Sequence, residues 1–369
     1  EEVLRARYAD AAFFYDADVK QPLDAFTPQL DTLTFQERLG SMLDKVRRLE
    51  RLVPELSDQL SLAKDEAATA TRAAALCKSD LATQLVVELT SLQGIMGRHY
   101  AELSGEPPEV ARAIEEHYLP RFAGDRLPTA TPGLVVGLAD RLDTLVGLFA
   151  VGIRPSGAAD PWGMRRAALG VVQLLVGREV SLALPEALSE AAGLMPVDVE
   201  EDVLREVLEY ITARYRGFLI ESGLRYDVVD AVLAERGYDP WLAYRSVQQL
   251  DAWVAREDWQ ALLDAYARCV RITRDQPERF AVDEERLAEP AERELYAAYR
   301  DVAGGVAENP SVDALFEALI ALKPAIERFF DDVLVMVDDP DVRRNRLGLL
   351  QSIGALADGI VDLSVMEGF

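Results

Sequence analysis

The chain has 369 residues, half of them hydrophobic, with 64 acidic against 39 basic side chains and a net charge of −25. That length and apolar content predict two or three domains with buried cores, not a disordered chain. The charge excludes a whole-surface attraction to nucleic acid or anionic lipid, so any anion site must be a local basic patch. Only five of the basic residues are lysine, so such a patch would be arginine, whose planar fork suits phosphate.

Cys77 and Cys269 stand far apart, in neither a disulfide framework nor a zinc-ligand spacing, which fits a reducing cytoplasm. The longest clean apolar run, LGVVQLLVG, is too short to cross a bilayer, and GLVVGLADRLDTLVGLFAVGI carries three charges, so no membrane partner is expected. The chain opens EEVLRARYADAAFFYDADVK, with no signal peptide and no methionine, and reads as part of a longer protein.

Along the chain, the first 34 residues read as extended, with Phe13, Phe14 and Tyr15 expected to anchor the segment on the core. FQERLGSMLDKVRRLERLVPEL then places Leu39, Leu43, Val46, Leu49 and Val53 on one helical stripe. An alanine-rich helix follows, and PPEVARAIEEHYL opens on prolines suited to a first turn. TPGLVVGLADRLDTLVGLFAVGI and DPWGMRRAALGVVQLLVG are two further helices, and LPEALSEAAGLMPVDV (184–199) reads as a junction. EEDVLREVLEYITARYRGFLIESG is an amphipathic helix ended by glycine, and DVVDAVLAERGYDPWLAYRSVQQLDAWV is a helical pair. The remainder predicts four or five helices, with a break at GGVAENPSV. The fold class is all-α: a helical domain over 1–185, a helical linker over 186–256 and a helical bundle over 257–369.

No glycine-rich loop precedes a lysine and no G-x-S-x-G elbow occurs, so neither a P-loop nor a hydrolase nucleophile is predicted. Both histidines, His99 and His117, fall in GRHYAELSGEPPEVARAIEEHYLP. The stretch 41–177, through RAAALCKSDLATQL, VARAIEEHYLP and LVVGLADRLDTL, resembles the HD-domain family of metal phosphohydrolases. The resemblance matches Asp140 to that family's later metal-binding aspartate and His117 to an extra histidine. Its His-Asp dyad position, however, reads Cys77-Lys78-Ser79-Asp80, and the helix that should supply the first histidine reads SMLDKVRR. A divalent ion there would lack ligands and meet Lys78, so no metal and no catalytic residue are expected.

Taken together, ARYADAAFFYDAD (6–18), TFQERLGSMLDKV (34–46), LCKSDLATQLVVELTSLQGIMGRHYA (76–101) and AIEEHYLPRFAGDRLP (113–128) resemble the β subunits of bacterial two-subunit glycyl-tRNA synthetases. The likeness continues through GLADRLDTLVGLFAVGIRPSGAADPWGMRRAALG (137–170) and FFDDVLVMVDDPDVRRNRLGLLQSI (329–353). It implies the C-terminal part of such a subunit: a metal-less HD-like domain, then a domain like the anticodon-binding modules of class I synthetases. It implies tRNA-Gly and an α subunit as partners in a hetero-oligomer, α2β2, with ATP and magnesium used by the α subunit and no cofactor held here. DNA is not an expected partner.

Candidate RNA contacts are the stripe Arg268, Arg271, Arg274, the cluster Arg343, Arg344, Arg346 at the start of a helix, the pair Arg165, Arg166, and Arg98 with His99 beside Tyr100. The stripe and the 343–346 cluster are expected to form one surface, because the 257–369 region carries about twice as many acidic as basic side chains. Two other readings stay open: an HD-type metal-dependent phosphohydrolase, and a helical interaction scaffold whose arginines are merely solvated.

Overall fold

The computed structural model describes residues 2–122, 124–155 and 160–369. The expected all-α class is observed: among the described residues there are sixteen α-helices and a single short hairpin. The chain divides into two compact units, 1–215 and 216–369. Residues 186–256, expected as a linker, are therefore shared between the two units.

In the first unit, α1 (Glu2–Asp18) is followed by a 3-10 segment at Leu23–Thr32. The expectation of an extended N-terminal segment was wrong. Asp18 explains why the helix is held: its carboxylate accepts the Gln84 and Leu85 N–H groups at 2.9 and 3.0 Å and the Tyr100 hydroxyl at 3.0 Å. Tyr15 adds a hydroxyl contact to His99 at 2.9 Å, whereas Phe13 stays exposed and is no anchor.

The strands β1 (Thr34–Gln36) and β2 (Gly40–Ser41) lead into α2 (Met42–Gln59), which Ser41 and Asp44 start with a reciprocal capping box. Leu39, Val46, Leu49 and Val53 of the expected stripe are buried. Then come α3 (Lys64–Leu76), α4 (Gln84–Glu88), α5 (Ile95–Leu103) and α6 (Pro108–Glu116).

The centre of the unit is α7 (Thr131–Ala150), none of whose residues is exposed. It packs on α2, α3 and α6, on α8 (Met164–Gly177) and on α9 (Leu184–Gly193). The expected junction at 184–199 is thus mostly a packed helix, with Leu184, Ala187, Leu188 and Ala191 buried. The unit boundary falls within α10 (Glu201–Glu221).

The second unit continues with α11 (Tyr226–Arg236), α12 (Pro240–Val254), α13 (Trp259–Thr273), α14 (Pro290–Glu308), α15 (Val312–Asp332) and α16 (Pro340–Gly354). Its core is built where α15 meets α12, α13 and α14: Trp253 and Trp259 both stand 5.2 Å from the Phe316 ring. The indole of Trp253 donates to Asp313 at 2.8 Å, satisfying its one polar atom. The break expected at GGVAENPSV is displaced. The helix α14 runs through Gly304 and Gly305 to Glu308, and the chain turns at Asn309-Pro310, where proline cannot continue it.

Candidate functional site

The charges that interrupt the apolar run of α7 converge with residues of α2, α3 and α6 into one buried network. Lys78, just past α3, donates to Asp140 Oδ2 and to His117 Nε2, each at 2.9 Å. Lys45 of α2 reaches Asp140 Oδ1 at 3.1 Å, Asp143 Oδ2 at 2.8 Å and the Thr144 hydroxyl at 2.8 Å. Arg48, one helical turn further on, holds Asp143 through two N–H groups at 2.6 and 3.2 Å. Two carboxylates therefore face three cations, all of them largely withdrawn from water.

This arrangement fixes the state of His117. Because an ammonium can only donate, Nε2 must accept, so the ring proton sits on Nδ1, which donates to the Ile114 carbonyl at 2.6 Å. Burial, then the Lys78 charge, hold the His117 pKa well below its usual value. Burial opposes ionisation of Asp140, but Lys45 and Lys78 override it and keep that carboxyl well below the carboxylate range. Burial also pushes the Cys77 thiol up to about 12 and Asp80 up to about 6. Asp80 is held by the Gly94 and Gly97 N–H groups at 2.6 and 3.1 Å.

A divalent metal does not fit here. His117 and Asp140 both spend their facing atoms on the Lys78 ammonium, which stands where an ion bound by those two residues would have to be. His99 is engaged elsewhere, with Tyr15. No group of three or more potential ligands gathers among the described residues. Lys45, Arg48, Arg141 and Asp143 escaped the sequence reading as site residues. Their signal was the unexplained charge in LADRLD and SMLDKVRR, inside otherwise apolar helices.

Arg141 has another task. It donates to the carbonyls of His117, Leu119 and Pro120 at 3.0, 2.9 and 3.2 Å, tying the end of α6 to α7. Its side chain crosses α8 at Gly170, where a Cβ would stand 2.3 Å from Arg141 Nε.

The expected RNA contacts separate into spent and available residues. Arg98 pairs with Glu102 and Glu115 at 2.9 and 3.1 Å, Tyr100 is buried, and His99 bonds to Tyr15, so that cluster is used internally. Arg346 is also taken out of the expected surface. It is buried, ion-paired with Glu292, and donates to the Leu334 carbonyl at 2.8 Å. Asn345 is buried too and bonds both ways with the Asp283 backbone. Among the described residues Arg343 reaches only the Val337 carbonyl, at 3.3 Å, and Arg344 is exposed. Arg165 and Arg166 stand at the start of α8, which Asp160 caps through the Met164 and Arg165 N–H groups. Residues 156–159 of the expected motif lie outside the described residues.

Arg268, Arg271 and Arg274 are all exposed along α13. None has a carboxylate partner among the described residues. Arg268 lies over the Phe330 ring at 4.3 Å and Arg271 over the Phe369 ring at 5.4 Å. With Gln276, Gln351 and Phe369, Arg274 lines a cavity of about 430 Å³ whose wall also carries Glu235, Glu278, Asp362 and the Arg279–Asp358 ion pair.

The helices α13 and α16 do pack together, through Tyr266 donating to the Gly354 carbonyl at 2.8 Å. That contact sets the stripe beside the C-terminal end of α16. Arg343 and Arg344 sit at its other end, about 16 Å away along the helix at ~1.5 Å per residue. With Arg346 buried against Glu292, the 343–346 cluster leaves only Arg343 and Arg344 for the surface expected from both clusters.

Comparison with known proteins adds independent findings. Residues 1–234 match the family model described as the glycyl-tRNA synthetase beta subunit, and residues 262–363 match the DALR anticodon binding domain. The chain is 43% identical over 373 residues to the glycine–tRNA ligase beta subunit of Moorella thermoacetica, covering 99% of this chain and 54% of that protein. It is 40% identical over 381 residues to the corresponding subunit of Myxococcus xanthus, covering 100% and 54%. A chloroplastic/mitochondrial glycine–tRNA ligase of Arabidopsis thaliana is 40% identical over 371 residues, covering 100% and 35%. The chain spans about half the length of the bacterial relatives it matches, or less in the plant protein.

Proposed function

Since the chain belongs to the glycyl-tRNA synthetase beta-subunit family, we propose that it is the tRNA-binding C-terminal part of a glycine–tRNA ligase, reading tRNA-Gly through its second unit. The observation that carries this reading is the stripe Arg268, Arg271, Arg274. Its three cations have no carboxylate partner among the described residues in a chain of net charge −25, and they lie within the segment that matches an anticodon binding domain. Two of them lie over aromatic rings, and the third lines a cavity that carries two amide side chains and four carboxylates. Arginine beside aromatic surface suits unpaired nucleotides, whose phosphates take the guanidinium and whose bases stack.

In this reading the chain performs no chemistry. An α subunit activates glycine with ATP and magnesium, and the two assemble in the cytoplasm as a hetero-oligomer, α2β2. The chain itself holds no metal or cofactor. The first unit is an HD-like domain whose cation place is filled by Lys78, which argues against the phosphohydrolase reading.

Binding of labelled tRNA-Gly to the chain at graded salt is the test. Arg271→Ala with Arg274→Ala should weaken binding about tenfold and flatten the salt slope by about 1.5, since each phosphate contact contributes roughly 0.7–0.9. Arg346, buried against Glu292, is not a target for this purpose. Failure of the chain to bind tRNA, or a double variant with unchanged affinity and slope, overturns the reading and favours an interaction scaffold.

A further inference from the structure

A second cavity, of about 340 Å³, opens in the first unit in front of the Lys78–His117–Asp140 network. Three arginines line it, Arg121, Arg141 and Arg166, against a single acidic residue, Asp140. That carboxylate is already matched by Lys45 and Lys78 at 3.1 and 2.9 Å. Arg121 donates to the carbonyls of Ser91 and Gln93, and Arg141 to the backbone after α6, and neither forms an ion pair among the described residues. Arg166 is exposed and has no ion-pair or hydrogen-bond partner among the described residues. The wall also carries the Tyr118 ring, over which Arg121 lies at 5.6 Å, and the half-exposed indole of Trp162. In a chain of net charge −25, a concave site with this surplus of cations is an exception that solvation of a helix face does not explain.

We propose that this cavity binds a nucleotide, its phosphate between Arg121 and Arg166 and its base against Trp162. The volume suits one nucleotide, within the range of small-molecule sites. Guanidinium forks match phosphate oxygens in pairs, and an aromatic face accepts any base. The Lys78 ammonium supplies fixed positive charge behind the site without the open coordination position that activates water. The site therefore holds a phosphate ester and leaves it intact. It lies in the first unit, separate from the α13 stripe, and stands or falls independently of that reading. The nucleotide has two sources with the same chemistry: a free nucleoside monophosphate, or the terminal nucleotide of an RNA.

The test is titration of the intact chain with adenosine 5′-monophosphate by calorimetry at low salt. Saturable one-to-one binding is expected, at least tenfold weaker for adenosine, and competed by inorganic phosphate. Arg166→Ala, at an exposed position that leaves the core untouched, should weaken binding at least tenfold, while Arg271→Ala should leave it unchanged. Displacement of the nucleotide by tRNA, but not by tRNA lacking its terminal nucleotide, assigns the site to an RNA end. No displacement by either assigns it to a free nucleotide. Absence of saturable binding at millimolar nucleotide, or binding that Arg166→Ala does not alter, overturns the proposal.

Discussion

Lys78 is the residue on which the first unit's interior turns. Its ammonium satisfies His117 Nε2 and Asp140 Oδ2 together, and its removal leaves a buried imidazole acceptor unpaired and Asp140 with Lys45 alone. Lys78→Ala is expected to cost about 2–4 kcal/mol of stability, below the range for a fully stranded buried charge because Lys45 remains. The urea midpoint measures it. The same substitution removes the second cause of the depressed His117 pKa and should raise it.

In the native protein, the folded-state pKa of His117 is below its unfolded value, so folding favours the neutral ring. Its contribution to stability is complete above about pH 6.5 and is lost as pH falls below that value, through the folded pKa. Asp80, raised by burial to about 6, acts with the opposite sign, losing stability as pH rises through 6. A residue-specific reading is therefore needed. The His117 ring resonances should keep the neutral Nδ1–H pattern at pH 6, where an unperturbed imidazole is mostly charged. An ordinary titration midpoint would rule out the Lys78 contact.

At the level of the element, α16 illustrates how a helix with a basic start can be mostly structural. Asp339 caps its first turn through the Asp341 and Val342 N–H groups at 2.9 and 3.2 Å, and Pro340 takes the first helical position. Arg346 then faces inward to Glu292, while Arg344 faces out. Arg346→Ala would strand a buried carboxylate and should cost about 3–5 kcal/mol, whereas Arg344→Ala should stay within about 0.5 kcal/mol. One turn along from Arg344, a Cβ on Gly348 would meet the Phe280 carbonyl oxygen at 2.7 Å, a backbone atom that cannot swing aside. Gly348→Ala should therefore destabilise by about 1–3 kcal/mol despite alanine's better helix propensity. Thermal or urea unfolding of these three variants checks the inward face of α16. Comparable stability for all of them would show that face to be misassigned.

For the whole molecule, the net charge of −25 makes local geometry decisive for any anion. A uniformly basic protein gains affinity from every phosphate nearby, but this one can gain it only where arginines have no ion-pair partner among the described residues, as at Arg268–Arg274 and around Arg121 and Arg166. Discrimination should therefore be high. At physiological salt, an unstructured RNA of equal length is expected to bind at least about tenfold more weakly than tRNA-Gly, because its phosphates meet mostly acidic surface. Equal affinity in a direct competition would refute a localised interface.

By itself the amino-acid order determined the helical class, the stripe that α2 buries and the lack of a phosphate-cradling loop. Each is written in residues close together. The full run of family motifs was likewise legible, and so was the mismatch of Cys77–Asp80 with a metal dyad. Only the tertiary structure decided what the charged residues do. Lys45 meets Asp143 across 98 positions, Lys78 meets Asp140 across 62, and Arg346 meets Glu292 across 54. The N-terminal segment became a helix for the same kind of reason, since Asp18 finds its partners at Gln84, Leu85 and Tyr100. A buried charge is tolerated only where the fold brings an opposite charge or donors to it. Whether an arginine faces phosphate or a buried glutamate is thus settled by distant residues, not by its own spacing on a helix.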